Sequence, residues 1–551
     1  MYSCPAFFQN DGLIREFATF CALMVLGMAT LSSCAPQRPK YTEQIENLRA
    51  RAEALIKAQS LMAYENWTFG KESNQDSLYK ANASLFTVDT ISLVTRAEKE
   101  EPDTVQKKRL RYFRRYLVTE HIAKETAPLT DWINNYEATA TVAFDGKQIL
   151  YREVPILLAN ANSQSRRRAL YASLDPILDT LNHKLVEVET VRRRMAKDLG
   201  YSSFNSMIEE LNNISLDEIR EAAQQILAAT DSTYTTLLAE NLAGELKLTR
   251  DNFYWYDVAR LFRNRQFDRY FPETSLMDVL KKSYRGLGID IDAQKNLTID
   301  AEQREKKNRR AVCYAIDVPN DIRLSIKPIG GIDDYAALFH EMGHGQHYAN
   351  TKEHAFEFKY LNEPTVTECY AFLSEYLLAN QAWLRLYSTM PIPVLKDLVR
   401  FQAFHRVYYV RRYAAKVVYE IALHSGESDL PALYARLMKR AIGCVNFRSD
   451  EKRYLIDVDE NFYSAAYLRA WFLEAQLNAK LTNDFGPNWF EHPQAGDYLR
   501  SLWAKGDSFN GNELAHVIGY ETIAADLLLA EIDRMILFST KQMATRKQSS
   551  P

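Results

Sequence analysis

The pentapeptide His340-Glu341-Met342-Gly343-His344 puts two imidazoles and one carboxylate where a metal-dependent hydrolase needs them. Side chains four positions apart share one face of an α-helix, so His340 and His344 can grip a single divalent cation together. The pattern suits one Zn2+ per chain, with Glu341 beside the histidines to take a proton from the water that the ion polarises. A catalytic zinc takes three protein ligands and keeps one position open, so a third donor must come from elsewhere. Glu368 is that candidate. It lies far enough past His344 for one helix to end, a loop to turn and a second helix to pack against the first. Glu375 falls on the same helical face as Glu368 and is expected to orient a ligand imidazole.

The flanking pattern supplies elements to hold these groups. Asp321 to Pro328 alternates apolar and polar residues, as a half-buried strand does. Gly330-Gly331 breaks it, and Asp333 is the expected cap of a helix starting near Tyr335. Leu338 and Met342 form part of a core-facing stripe, and His340 and His344 lie off that stripe, toward a cleft. Pro364 suits the first turn of the next helix. On that helix Val366, Cys369, Tyr370, Leu373 and Leu377 recur at helical spacing and should be buried. A histidine-bearing helix just behind a strand is the zincin layout, and the strand edge can hold an extended peptide across the metal.

With these residues in place, the chain resembles the thimet oligopeptidase and oligopeptidase F family of zinc metallopeptidases. The family's histidine three residues past the zinc motif is matched by His347, and its paired glutamates by Glu368 and Glu375. Phe462-Tyr463-Ser464-Ala465-Ala466-Tyr467 looks like its tyrosine-rich element. Asn252 to Asp257, followed by Phe271-Pro272, is similar to the segment leading into its catalytic half. The likeness runs from about residue 250 to 520. It implies hydrolysis of short unstructured oligopeptides that reach the site through a channel. It also implies that Tyr463 and Tyr467 donate to the oxyanion of a tetrahedral intermediate. Two positions depart from the family pattern: Asp459 stands where it has a histidine, and Ala470 where it has a third tyrosine. His405 is the candidate substitute donor. Two other readings compete. One is a dipeptidyl carboxypeptidase of the angiotensin-converting type, which has an aspartate where this chain has Phe372. The other, prompted by Asp459 and Ala470, is a lipid-anchored peptide-binding protein impaired in turnover.

Composition bounds the rest. With 551 residues the chain can bury a large core, and two lobes are expected. Only 19 glycines and 17 prolines suit a mainly α fold. The expected architecture is therefore two helical lobes flanking a deep channel, with a small β-sheet beside the zinc-binding helix. A net charge of −3 gives no reason to expect a nucleic-acid partner. Cys313, Cys369 and Cys444 lack CxxC spacing, so no cysteine metal site or redox motif is indicated. The apolar run from Phe17 to Leu31 ends at Leu31-Ser32-Ser33-Cys34, which resembles a bacterial lipoprotein cleavage box. On that reading residues 1–33 are a signal peptide, and Cys34 carries a lipid that attaches a monomer to the outer membrane, facing the periplasm. Residues 34–255 then form an N-terminal helical lobe, 256–544 the catalytic lobe, and 545–551 a polar tail.

Overall fold

Long stretches of good helix formers with few breakers fold into a mainly helical protein with two small sheets among the described residues. The computed structural model describes residues 42–72, 74–361 and 364–540. The expected leader, Cys34 and the polar tail lie outside the described residues. Among the described residues no helix is long and apolar enough to cross a membrane. Packing divides the chain after Leu48. On the N-terminal side, residues 42–48 are helical; from Arg49 onward a second unit contains all the elements around the candidate site.

Helix α1, Thr42–Phe69, is followed by α2, Thr104–Thr139, and α3, Asp175–Asp198. A hairpin of β1, Thr141–Phe144, and β2, Lys147–Leu150, separates α2 from α3. Helical periodicity recurs through Ala161–Leu199, and the structure is helical over most of it. The helical stretch divides near Ser173, where Pro176 opens α3 within its first turn. The stretch from Leu216 to Glu245 also divides. Its first part is α4, Leu216–Ala229, which stops at Thr230, whose hydroxyl turns back onto the Ile226 carbonyl at 2.6 Å. The buried Arg167–Asp257 ion pair, 2.8 Å, links segments on either side of residue 255.

The sheet that supports the site has the order β3-β5-β4. Its strands are β3, Leu297–Asp300; β4, Val312–Asp317; and β5, Asp321–Ser325. The central β5 pairs parallel with β3 and antiparallel with β4, which leaves β4 at the edge. β5 ends at Ser325, short of the expected Pro328, because both neighbours run out there: Asp300 of β3 and Val312 of β4 each stand opposite Ser325. Gly330 and Gly331 then take φ of 85° and 101°, a left-handed turn that glycine adopts without steric cost.

This turn starts α5, Ile332–Ala349, the helix of the histidine motif. The expected Asp333 cap is not formed: Gly331 is the cap residue, without a side-chain bond. Asp334 does the work from inside the helix, its Oδ2 accepting the amides of Ile329 at 2.6 Å and Gly330 at 2.7 Å. The reason is the glycine pair, which starts the helix early enough for Asp334 rather than Asp333 to face the turn. Leu338 and Met342 are fully buried, as their spacing implies. Next comes α6, Thr365–Glu375, which starts after Pro364 and is buried on every side from Thr365 to Ser374. Helix α7, Ile392–Leu423, packs against α4, against α8, Tyr463–Phe485, and against α9, Asp526–Thr540. The periodicity from Asn512 to Phe538 is interrupted at Gly519, φ 96°, before α9 begins.

Candidate functional site

Gly343, in the middle of the histidine motif, sets the separation of α5 and α6. A Cβ built there would stand 2.5 Å from both Ala371 Cα and the Tyr370 carbonyl oxygen. Only a hydrogen at this position lets the two helices meet backbone to backbone. Gly345 faces the other way, onto the Leu324 and Leu297 side chains, and seats α5 on the sheet.

At this close approach α6 presents Glu368 to both imidazoles. His340 Nε2 lies 3.3 Å from Glu368 Oε2, and His344 Nε2 lies 3.7 Å from Glu368 Oε1. A tetrahedral shell with metal–ligand bonds near 2.05 Å separates neighbouring donors by about 3.3 Å, so this spacing fits. One donor atom from each of the three residues lies within 4.8 Å of the other two. Glu368 is 2% exposed, and its Oε2 makes no hydrogen bond although His340 stands near it. A buried carboxylate oxygen left in this condition is unfavourable unless a cation meets it. The three residues therefore fit a divalent metal by spacing and by donor chemistry.

Both ring Nδ1 atoms are engaged from behind. Glu375 Oε2 lies 2.9 Å from His340 Nδ1, and Thr367 Oγ1 lies 2.7 Å from His344 Nδ1. These partners turn both Nε2 atoms inward. Glu375 was expected from its place on the helical face. Thr367 was missed, and its only signal is that it immediately precedes the candidate ligand Glu368. Electrostatics follow the same layout. Burial alone would lower His340, but Glu368 and Glu375 outweigh it and hold the imidazole well above its ordinary value. Burial lowers His344 against the pull of Glu368. Burial would raise Glu368, yet the two imidazoles bring it down to about 2. The carboxylates thus draw positive charge to the point where the donors converge.

Glu341 projects from the same helix toward the sheet edge. Its Oε2 accepts the Cys313 amide of β4 at 2.7 Å. Tyr463 opens α8, and its hydroxyl donates to Glu368 Oε1 at 2.5 Å. The lead-in is strained: Asn461 and Phe462 both adopt left-handed φ, 52° and 59°. Phe462 is buried beside Phe204 and His424, which fixes this turn and the start of α8. Tyr467 sits one turn on, its ring 4.9 Å from that of Tyr463 and 5.7 Å from Phe372. Burial raises both phenols, and the nearby Glu368 raises them further.

These groups line one cavity of about 580 Å³. His340, Glu341, His344, Glu368, Tyr463 and Tyr467 all border it, so the structure brings together every site residue expected from sequence. His405 of α7 borders it too, and burial lowers its imidazole to about 4. Asp459 does not: it pairs with Lys416 at 2.8 Å, and its amide donates to Glu420. Ala470 is buried inside α8 away from the cavity. His347 is fully buried behind the site, its ring against Tyr348 and Tyr370. Cys313, Cys369 and Cys444 form no disulfide. Compared with models of known protein families and with curated proteins, the chain matches none.

Proposed function

We propose that this protein is a zinc-dependent metallopeptidase that hydrolyses short unstructured oligopeptides. The observation that carries the reading is the convergence of His340, His344 and Glu368 beside the carboxylate of Glu341 in one cavity. His340, His344 and Glu368 would hold the ion. When bound, zinc supplies Lewis acidity toward water and toward a peptide carbonyl.

The chain's own groups do the remaining work. Glu341 is held by the Cys313 amide through Oε2, which leaves Oε1 for the proton of an attacking water. The same carboxyl can then pass that proton to the leaving amine. Tyr463 donates to Glu368 in this structure and would exchange that partner for the developing oxyanion, with Tyr467 one turn away as a second donor. β4 is an edge strand that borders the cavity at Val312 and Cys313; apart from the Cys313 amide, which Glu341 engages, its outward backbone groups can pair with an extended peptide. A folded protein cannot offer its backbone in that form.

The decisive experiment is Glu341→Gln assayed on a quenched-fluorescence peptide library, with zinc measured by mass spectrometry. Hydrolysis should fall by a factor on the order of 10²–10⁴ with one zinc per chain retained. Turnover at the wild-type rate would rule out Glu341 as the base, and wild-type protein that holds no zinc would defeat the metal assignment.

A further inference from the structure

One cation at the mouth of the cavity has no counter-ion among the described residues. Arg310 lies just before β4, borders the cavity and is exposed. Among the described residues its guanidinium makes no ion pair or hydrogen bond. The other arginine bordering the cavity, Arg406, is different. It is buried, pairs with Glu474 and with Glu531 at 3.1 Å, and lies 4.0 Å over the Tyr376 ring.

The backbone that carries Arg310 is pinned. Trp67 accepts the Asn308 amide at 2.9 Å, and its indole N–H donates to the Arg310 carbonyl at 3.0 Å. The Arg310 amide donates to Asn308 Oδ1, also at 3.0 Å. Three residues earlier, the buried Lys307 ammonium donates to the Asp300 carbonyl and to its carboxylate, each at 2.7 Å. A held backbone with a free charged head loses little entropy when a ligand arrives. The guanidinium's field also reaches the aromatic wall. Burial drives the Tyr409 and Tyr467 phenols up, and Arg310 opposes that rise in both.

We infer that Arg310 recognises a carboxylate on the bound peptide and so determines which oligopeptides the site prefers. This rests on the peptidase reading above. Three carboxylates, Glu341, Glu368 and Glu375, gather at the metal site, whereas the only unpaired cation bordering the cavity, among the described residues, stands at its mouth. An extended peptide lying on the free edge of β4 passes the guanidinium two residues before Val312. The planar fork of arginine matches a carboxylate and offers nothing comparable to an uncharged amide. A peptide presents that group in two ways, at its C-terminus or on an aspartate or glutamate side chain.

The test measures binding on a background that does not turn over. Glu341→Gln protein and the Glu341→Gln/Arg310→Gln double variant are titrated, both zinc-loaded, with fluorescein-labelled peptides by anisotropy. One peptide has neutral side chains and a free C-terminus. A second is its C-terminal amide. A third is that amide with a single glutamate. The exposed setting leads us to expect the double variant to bind the preferred carboxylate peptide about three- to tenfold more weakly, with the neutral amide unchanged. The difference should shrink as salt is raised from 50 mM to about 500 mM. Loss confined to the first peptide identifies the C-terminal carboxylate, and loss confined to the third identifies an acidic side chain. Equal weakening of all three, or none, would overturn the role of Arg310 and leave the peptidase reading standing. Failure of every peptide to bind either protein would overturn the peptidase reading, and this inference with it.

Discussion

Each candidate ligand imidazole is held by a partner whose loss should be measurable as weaker binding of the proposed zinc. Glu375 is 2.9 Å from His340 Nδ1 and Thr367 is 2.7 Å from His344 Nδ1, and neither reaches the point where the donors converge. Replacing Glu375 by Gln, or Thr367 by Val, should therefore leave all three ligands in place but free one ring to rotate. Zinc affinity should fall about 10- to 100-fold for each change, read by competition with a chromogenic chelator. An unchanged affinity in both variants would mean that packing alone orients the rings. At this scale the sequence was legible where chemistry depends on spacing along one helix. Glu341, His340 and His344 needed no tertiary information. Thr367 and Arg310 escaped notice because nothing in their local pattern separates them from ordinary polar residues.

Among the elements, the contact between α5 and α6 governs the site, and Gly343 governs that contact. Gly343→Ala would push a methyl to 2.5 Å from backbone atoms of Tyr370 and Ala371, which cannot yield as a flexible side chain does. Overpacking of this kind destabilises by about 1–3 kcal/mol. It should also move Glu368 away from the imidazoles. Thermal melting and zinc stoichiometry on the same preparation check both effects. A variant with wild-type melting and full zinc would show that the helices have slack. The strand, the glycine turn and both helices could be anticipated from alternation, from glycine pairs and from apolar spacing. Their ends could not, because capping went to Asp334 rather than Asp333 and β5 stopped at Ser325.

Over the molecule as a whole, burial of titratable groups sets a pH dependence. His347 has no exposed surface, and desolvation lowers its imidazole to about 4 from an ordinary 6.5. The unfolded chain binds that proton below about pH 6.5, whereas the folded chain does so only near 4. The stability contribution is thus complete above pH 6.5 and is lost as pH falls through 4. Its full size is about 3 kcal/mol, from two and a half pH units on a fully buried group. His347→Phe keeps the ring and removes the titration. Wild type should lose stability relative to that variant between pH 6.5 and 4, followed by denaturant melts at each pH. Parallel curves would indicate that His347 stays solvated.

The sequence by itself determined the pair of candidate metal donors on one helix, the mainly helical character and the strand-turn-helix order, because each depends on residue type and on periods of two or four along one segment. It also marked Glu368 and the two tyrosines as candidates, although it could not bring them to the histidines. Only the tertiary structure decided that. Their distances depend on how closely α5 meets α6 at Gly343 and on how the strained turn at Asn461-Phe462 aims α8. It likewise tied Asp459 to Lys416 and left Arg310, exposed at the cavity, unpaired among the described residues. Pairing between residues far apart in the chain is a property of packing, and no local pattern encodes it.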